Sequence, residues 1–304
     1  MTKYQFILFI SAFYLLGINF SYGQGCSDAG FCTINSFKPN SHGSAVAMNN
    51  QVKIGAFYGQ ADYSIAVYGT YLDYSRQVND QFGFDARLTT LAQNGNGIKV
   101  FGLSDLFVNA NYKISESVTL TLGGKIPFSG ADKTYNDLPL PLDYQASLGT
   151  FDLIFGIGYE INKFQLVAAI QQPLTQNDNQ FLATDYPTGS ELRTFQSTHT
   201  FQRSGDVLVR ISYPVSIHSK LKLTPSLLPI YHLNNDRYTD EFDVSREIDG
   251  SRGLTLNGTM YLDYELNGNS TIQINMGMPF IARDARPDGL TRHFITNLEY
   301  SIRF

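Results

Sequence analysis

Residues 292–304 read Arg292-His293-Phe294-Ile295-Thr296-Asn297-Leu298-Glu299-Tyr300-Ser301-Ile302-Arg303-Phe304. Taken alternately, they separate into two sets. Phe294, Leu298, Tyr300, Ile302 and Phe304 share one side with Thr296, and Asn297, Glu299, Ser301 and Arg303 share the other with Ile295. Side chains alternate across a β-strand, so this stretch is a strand with one apolar and one polar face.

The same two-residue period recurs upstream and predicts about twelve strands. They span roughly 51–59, 62–76, 81–91, 102–115, 117–128, 149–161, 163–173, 203–215, 219–233, 251–266, 269–281 and 291–304. In the tenth, Leu254, Leu256, Gly258, Met260, Leu262, Tyr264 and Leu266 face away from Thr255, Asn257, Thr259, Tyr261, Asp263 and Glu265. The first three strands carry the weakest pattern. Beyond the N-terminal leader no apolar run reaches the roughly 20 residues a membrane helix needs, whereas a membrane strand needs only about 9–11. The chain has 26 Gly, 19 Tyr, 22 Phe, no Trp and 16% charged residues, which suits an all-β chain. A formal net charge of −5 gives no basic footprint for nucleic acid.

Connection lengths orient the strands. Short turns fall at Ser115-Glu116-Ser117, Asn162-Lys163, Ile217-His218-Ser219 and Asn267-Gly268-Asn269, and long connections at about 129–148, 174–202, 234–250 and 282–290. Short and long alternate, as the periplasmic turns and outer loops of a membrane barrel do. The closing strand, ending on Phe304, resembles that of bacterial outer-membrane β-barrels, where it is read by the barrel-insertion machinery. The expected fold is therefore a transmembrane antiparallel up-and-down β-barrel over 51–304, in outer-membrane lipid with both termini periplasmic. A soluble β-sandwich would carry shorter strands and fewer aromatics at strand ends.

The N-terminus supports this location. Lys3, the apolar run Phe6 to Ile18 and the small residues Ser21 and Gly23 form a signal peptide over 1–23. The run is too short for a bilayer anchor. Gln24, rather than a small residue, lies near Cys26 and argues against lipoprotein processing. Residues 24–50 lack a period and read as a periplasmic or lumenal segment. Cys26 and Cys32 are the chain's two cysteines and can close a small disulfide loop in an oxidising compartment. No further Cys or His completes a metal set beside them, and no cofactor motif is present.

Three strands share the spacing Asp-x6-Tyr: Asp105 to Tyr112, Asp152 to Tyr159 and Asp206 to Tyr213. An interval of seven puts Asp and Tyr on opposite faces. The tyrosines, with Tyr264 and Tyr300, then form a lipid-facing girdle near the periplasmic boundary. The aspartates either begin strands and bind local turns, or form a ring of acceptors at the pore mouth. Lumenal positions of both signs follow: Lys113, Lys125, Arg210 and Arg303 against Asp152, Glu160, Asp206, Glu265 and Glu299. These fit either a bracing network or a polar track.

Gly102-Leu103-Ser104-Asp105, then Lys125-Ile126-Pro127-Phe128-Ser129-Gly130, then Gly149-Thr150-Phe151-Asp152 form a motif series. Over about 100–215 it resembles the phenol-degradation-pathway (MetA-pathway) transporter family of outer-membrane barrels. The resemblance implies a channel for passive passage of small, hydrophobic or aromatic solutes. In the loop after the fifth strand, Leu138-Pro139-Leu140-Pro141-Leu142 is an apolar stretch in polar surroundings. Leu138, Leu140 and Leu142 either make first contact with a solute or pack on the barrel rim. The 174–202 loop, with Phe181, Tyr186, Phe195 and Phe201, is a candidate lid.

Two other classes compete. A barrel enzyme needs a convergent nucleophile and base. The five histidines, 42, 199, 218, 232 and 293, lie in no nucleophile motif, so no enzyme activity is expected. A structural or assembly-associated barrel without transport is the alternative.

Overall fold

The computed structural model describes residues 34, 37–39, 49–289 and 292–304. The signal peptide, Cys26 and Cys32 lie outside the described residues.

Twelve barrel strands follow in chain order: β1 Asn50–Gln60, β2 Ala66–Gln77, β3 Phe82–Gly95, β4 Ile98–Ser115, β5 Val118–Pro127, β6 Asp152–Ile161, β7 Phe164–Pro173, β8 Asp206–Ser212 continuing through Val215–His218, β9 Leu221–His232, β10 Gly253–Asn267, β11 Ser270–Ile281 and β12 Phe294–Arg303. Each pairs antiparallel with its sequence neighbours, and β12 returns to β1. Gln51 lies opposite Arg303 and Gln60 opposite Phe294, and the backbones of Asn50 and Phe304 exchange two hydrogen bonds of 3.1 and 3.0 Å. The sheet therefore closes with no free edge, which removes the unpaired backbone that lipid would not tolerate.

The alternation falls as read. On β12, Leu298, Tyr300, Ile302 and Phe304 are exposed on the outer surface, and Glu299 and Ser301 are buried inside. On β10 the exposed Leu254 and Tyr264 face outward while Thr255, Asn257, Thr259 and Tyr261 are buried. An apolar exterior around a polar interior is the pattern of a transmembrane barrel and the reverse of a soluble one. The chain is an outer-membrane β-barrel.

Two expectations shift at the third and fourth strands. The sequence reading stops one at 91 and resumes the next at 102. The strands instead run on to Gly95 and from Ile98, joined by Asn96-Gly97. Asn96 and Gly97 both have positive φ, 51° and 77°. That is the backbone of a tight two-residue hairpin, and Asn-Gly is the dipeptide that adopts it most readily. The first outer connection, Ala61–Ile65, is also short, with Tyr63 and Ser64 at φ 54° and 59°. The four connections after β5, β7, β9 and β11 are long and lie on the outer side, as expected.

Two of these loops carry small hairpins, Thr134–Tyr135 with Leu138–Pro139 and Arg237–Thr239 with Ser245–Glu247. The apolar residues of the loops after β5 and β7, among them Leu140, Tyr144, Phe181 and Phe195, fold inward over the mouth, whereas the tip of the 237–247 hairpin projects into solvent, with Phe242 75% exposed. From the other end Ile34 and Phe37–Pro39 enter the barrel interior, all buried. The core of the molecule is thus the lumen.

Candidate functional site

The lumen is filled in tiers. Nearest the periplasm, two cavities of about 210 and 200 Å³ flank the N-terminal segment, and both are walled by Lys38 and Pro39. One reaches Lys113, Glu116, Glu160 and Arg210; the other reaches Lys220, Glu265 and Arg303. Six of the charges assigned to the lumen from sequence, Lys113, Glu160, Arg210, Glu265, Glu299 and Arg303, therefore line these vestibules.

Above them, on β1–β4 and β12, lies a buried ionic cluster. Glu299 Oε2 accepts from Lys38 Nζ at 2.9 Å and from Tyr71 Oη at 2.8 Å, and Lys53 Nζ lies 3.5 Å from Oε1. Arg87 sits 3.6 Å over the Tyr71 ring and 3.7 Å from Asp73. Asp85 accepts from Asn109 and Asn111 at 3.0 and 2.8 Å. Alternation brings the strand residues inward, since each occupies the lumenal parity of its strand, and Lys38 joins them from the N-terminal segment. Buried charges persist only when paired, and this set supplies pairs.

At the same depth, the wall formed by β4 and β6–β9 is apolar. Phe107, Ile154, Val167, Ala169, Leu208, Leu228 and Ile230 enclose Ile34 and Phe37 of the N-terminal segment. Arg210, fully buried, reaches across this belt and donates to the Phe37 carbonyl at 2.6 Å. It does not meet Asp206, its neighbour on β8.

The outer polar tier gathers most of the predicted mouth residues. Lys125 donates to Thr150 at 2.8 Å and pairs with Asp152 at 3.0 Å, and Thr150 and Gln171 both donate to Asp152. Asp206 binds Arg203 and faces His232 Nδ1 at 2.7 Å, while His232 Nε2 faces Asp236 at 2.8 Å. Arg283 donates to Asp288 at 2.6 Å and approaches Asp236 at 3.8 Å. Asp105 stands apart, accepting from Ser147 at 2.6 Å and from Ser104. It behaves as a loop-binding strand start. Asp152 and Asp206 join the interior network instead.

This tier ties strand ends to loops. Arg203, Asp236, Arg283 and Asp288 belong to three different outer loops. Burial works against the Arg203 charge, but the carboxylates of Asp206 and Asp288 outweigh it and raise the guanidinium pKa. Burial likewise opposes ionisation of Asp288, and Arg283 and Arg203 reverse that, holding its carboxyl below the usual range. Sequence alone assigns no lumenal role to Arg203, His232, Asp236, Arg283 or Asp288. Only Asp236 and His232, four apart at the end of a strand, left a local trace.

Over this lies an apolar cap. Leu140, Tyr144 and Ala146 of the loop after β5 pack with Phe181, Tyr186, Leu192 and Phe195 of the loop after β7. Leu142 joins a second cluster with Ala131, Leu148, Phe201 and Ile248. Leu140 and Leu142 are 1% and 2% exposed, and Leu138 packs at the margin. Polar clips hold the stretch, including Asn179 Nδ2 to the Leu140 carbonyl at 3.0 Å and Tyr186 Oη to the Pro139 carbonyl at 2.8 Å. On the lipid side Tyr112, Tyr159, Tyr213, Tyr264 and Tyr300 are all exposed on the outer surface.

No family model matches the chain, and no curated protein matches it in sequence. Among solved structures it is similar to the COG4313 outer membrane channel from Pseudomonas putida F1, with a TM-score of 0.61 at 12% identity over 88% of this chain and 99% of that one. It is more distantly similar to the NanC porin, with a TM-score of 0.47 at 13% identity, covering 83% of this chain and 98% of that chain. A monoaromatic hydrocarbon channel, CymD, scores 0.45 at 8% identity over 93% of this chain and 98% of that one. At these identities the likeness is one of fold.

Proposed function

We propose that the protein is an outer-membrane channel for passive passage of small hydrophobic or aromatic solutes, closed at rest by its outer cap and N-terminal segment. The observation that carries this reading is the apolar belt. A lumen built for water-soluble solutes, or merely braced, is best lined by polar side chains throughout. Here five strands contribute apolar groups to one inner cluster around Ile34 and Phe37. Along one line through the barrel an apolar cap, a polar clamp and an apolar belt follow one another.

In this reading Asp152, Asp206, Lys125 and Arg210 brace the path, with Asp105 anchoring the loop above it. Leu138, Leu140 and Leu142 meet a solute as the cap opens. The five tyrosines mark the periplasmic lipid boundary, and Phe304 ends the strand that the insertion machinery reads. A structural barrel without transport is the second reading, and the tight filling of the lumen favours it.

Replacing Leu138, Leu140 and Leu142 together by Ser tests the first reading. Burial of Leu140 and Leu142 stabilises the cap by roughly 1.5–3 kcal/mol each, and the half-buried Leu138 adds less, so the change loosens the cap and removes its apolar contacts. Uptake of an aromatic solute by intact cells, at matched surface protein, is expected to change. Uptake equal to wild type would count against the reading.

A further inference from the structure

Phe37 occupies the belt in the manner of a ligand. Its side chain is 1% exposed inside a membrane barrel, and it and the described residues beside it, 34, 38 and 39, lie in no strand. Its ring presses on Gly156 of β6, where an added Cβ would lie 2.4 Å from Phe37 Cζ and 2.6 Å from Cε1. Gly156 is not among the positive-φ glycines, so its backbone does not demand glycine. The space for the ring does. Ile154, Leu208, Leu228 and Ile230 complete an apolar surround.

Polar contacts hold the segment at its backbone and at the next residue: the Phe37 amide donates to the Ile34 carbonyl at 3.1 Å, Arg210 donates to the Phe37 carbonyl, and Lys38 pairs with Glu299. The cavity of about 210 Å³ on the periplasmic side is lined by Phe37, Val167 and Arg210, so it abuts the belt. An apolar cavity of about 150 Å³ lined by Leu, Ile and Phe stays dry and binds benzene. Without its phenyl ring the belt offers the same apolar lining from Ile154, Leu208, Leu228 and Ile230, and opens on its periplasmic side to the cavity that Arg210 and Val167 line.

We propose that the belt is a binding site for a single small aromatic ring, with the Phe37 phenyl as resting occupant that a solute displaces. The proposal rests on the channel reading for its account of how solutes reach the lumen. Binding itself does not require passage, so the two can fail separately.

The test uses the full-length protein folded in detergent, with p-fluorotoluene followed by fluorine NMR. Phe37→Ala empties the site, and Gly156→Leu in that background refills it. If the native ring fills the site about nine-tenths of the time, its loss should tighten apparent binding by about tenfold. A bound resonance distinct from the micelle resonance is expected in Phe37→Ala at correspondingly lower solute, and its loss in the double variant. Phe37→Ala binding no better than wild type, or a double variant that binds equally, would overturn the proposal.

Should Phe37→Ala not fold, native protein supplies the second readout. Toluene should accelerate amide hydrogen exchange at 37–38 in wild type, and unchanged exchange there would also overturn the proposal. Binding without aromatic uptake by cells would remove the channel reading and leave the site. Uptake without binding would do the opposite.

Discussion

Glu299 shows how one residue joins the barrel wall to its contents. It lies on the closing strand, and its two carboxylate oxygens are approached by Lys38, Lys53 and Tyr71. Removing one partner from a buried pair costs about 3–5 kcal/mol, because the other charge is left uncompensated. Burial of Ile34 and Phe37 holds the N-terminal segment by roughly 1.5–3 kcal/mol each. The two terms are similar in size, so the Lys38 charge can be relieved by the segment leaving rather than by the barrel unfolding. Glu299→Gln is therefore expected to speed amide exchange at 37–38 while leaving the barrel's heat-resistant migration in detergent intact. Loss of the folded barrel with no release of the segment would contradict this. Glu299 was legible as a lumenal charge from strand parity alone. Its partner Lys38 was not, because a segment without periodicity gives no parity to read.

At the scale of elements, one seam differs from the rest. β3 and β4 pair over nearly their whole length. β8 and β9 pair at Asp206–Leu208 and again at Ile211–Ser212, with a gap at Val209 and Arg210. Proline explains the gap. The Tyr213 amide donates to the Pro225 carbonyl, so the backbone polar groups of Pro225 face β8, and those of Pro229, four residues on, do too. Proline has no N–H to give to the ladder. Pro214 adds a break between the two parts of β8. Amides of Ile211 and Leu227 are expected to exchange before those of Asp85 and Asn109, a hydrogen-bonded pair of the β3–β4 seam, in native-state hydrogen exchange. Equal protection of the two seams would contradict the assignment. Element existence and order were readable from alternation and loop length, down to the closing strand. The Asn96-Gly97 turn was equally readable but overlooked, because the flanking residues 92–101 alternate poorly between apolar and polar. The inward fold of the loops was not readable, since it depends on which apolar loop residues find one another across long separations.

As a whole molecule, the chain is a closed barrel whose interior is a second protein core. An outer polar tier and an ionic cluster level with the apolar belt hold strands, loops and N-terminal segment together, and the apolar cap lies above them. Among the predicted mouth residues, Lys125, Asp152 and Asp206 meet in the outer tier, Asp105 binds the loop above, and Arg210 holds the N-terminal segment. Sequence could place these on the inner face but could not pair them, because pairing follows from barrel closure and from loops that carry Arg203, Asp236 and Asp288. In the proposed channel, the cap and the N-terminal segment are the gates and the apolar belt sets the selectivity.

The most direct measurement compares uptake of radiolabelled toluene and arabinose by intact Gram-negative cells with and without the protein at the surface. Cells are needed because a phospholipid bilayer alone admits toluene freely, whereas a lipopolysaccharide leaflet does not. The predicted result is faster toluene uptake with arabinose unchanged. Toluene uptake no faster than in cells lacking the protein, or arabinose entry that rises in parallel, would contradict a channel for small hydrophobic solutes.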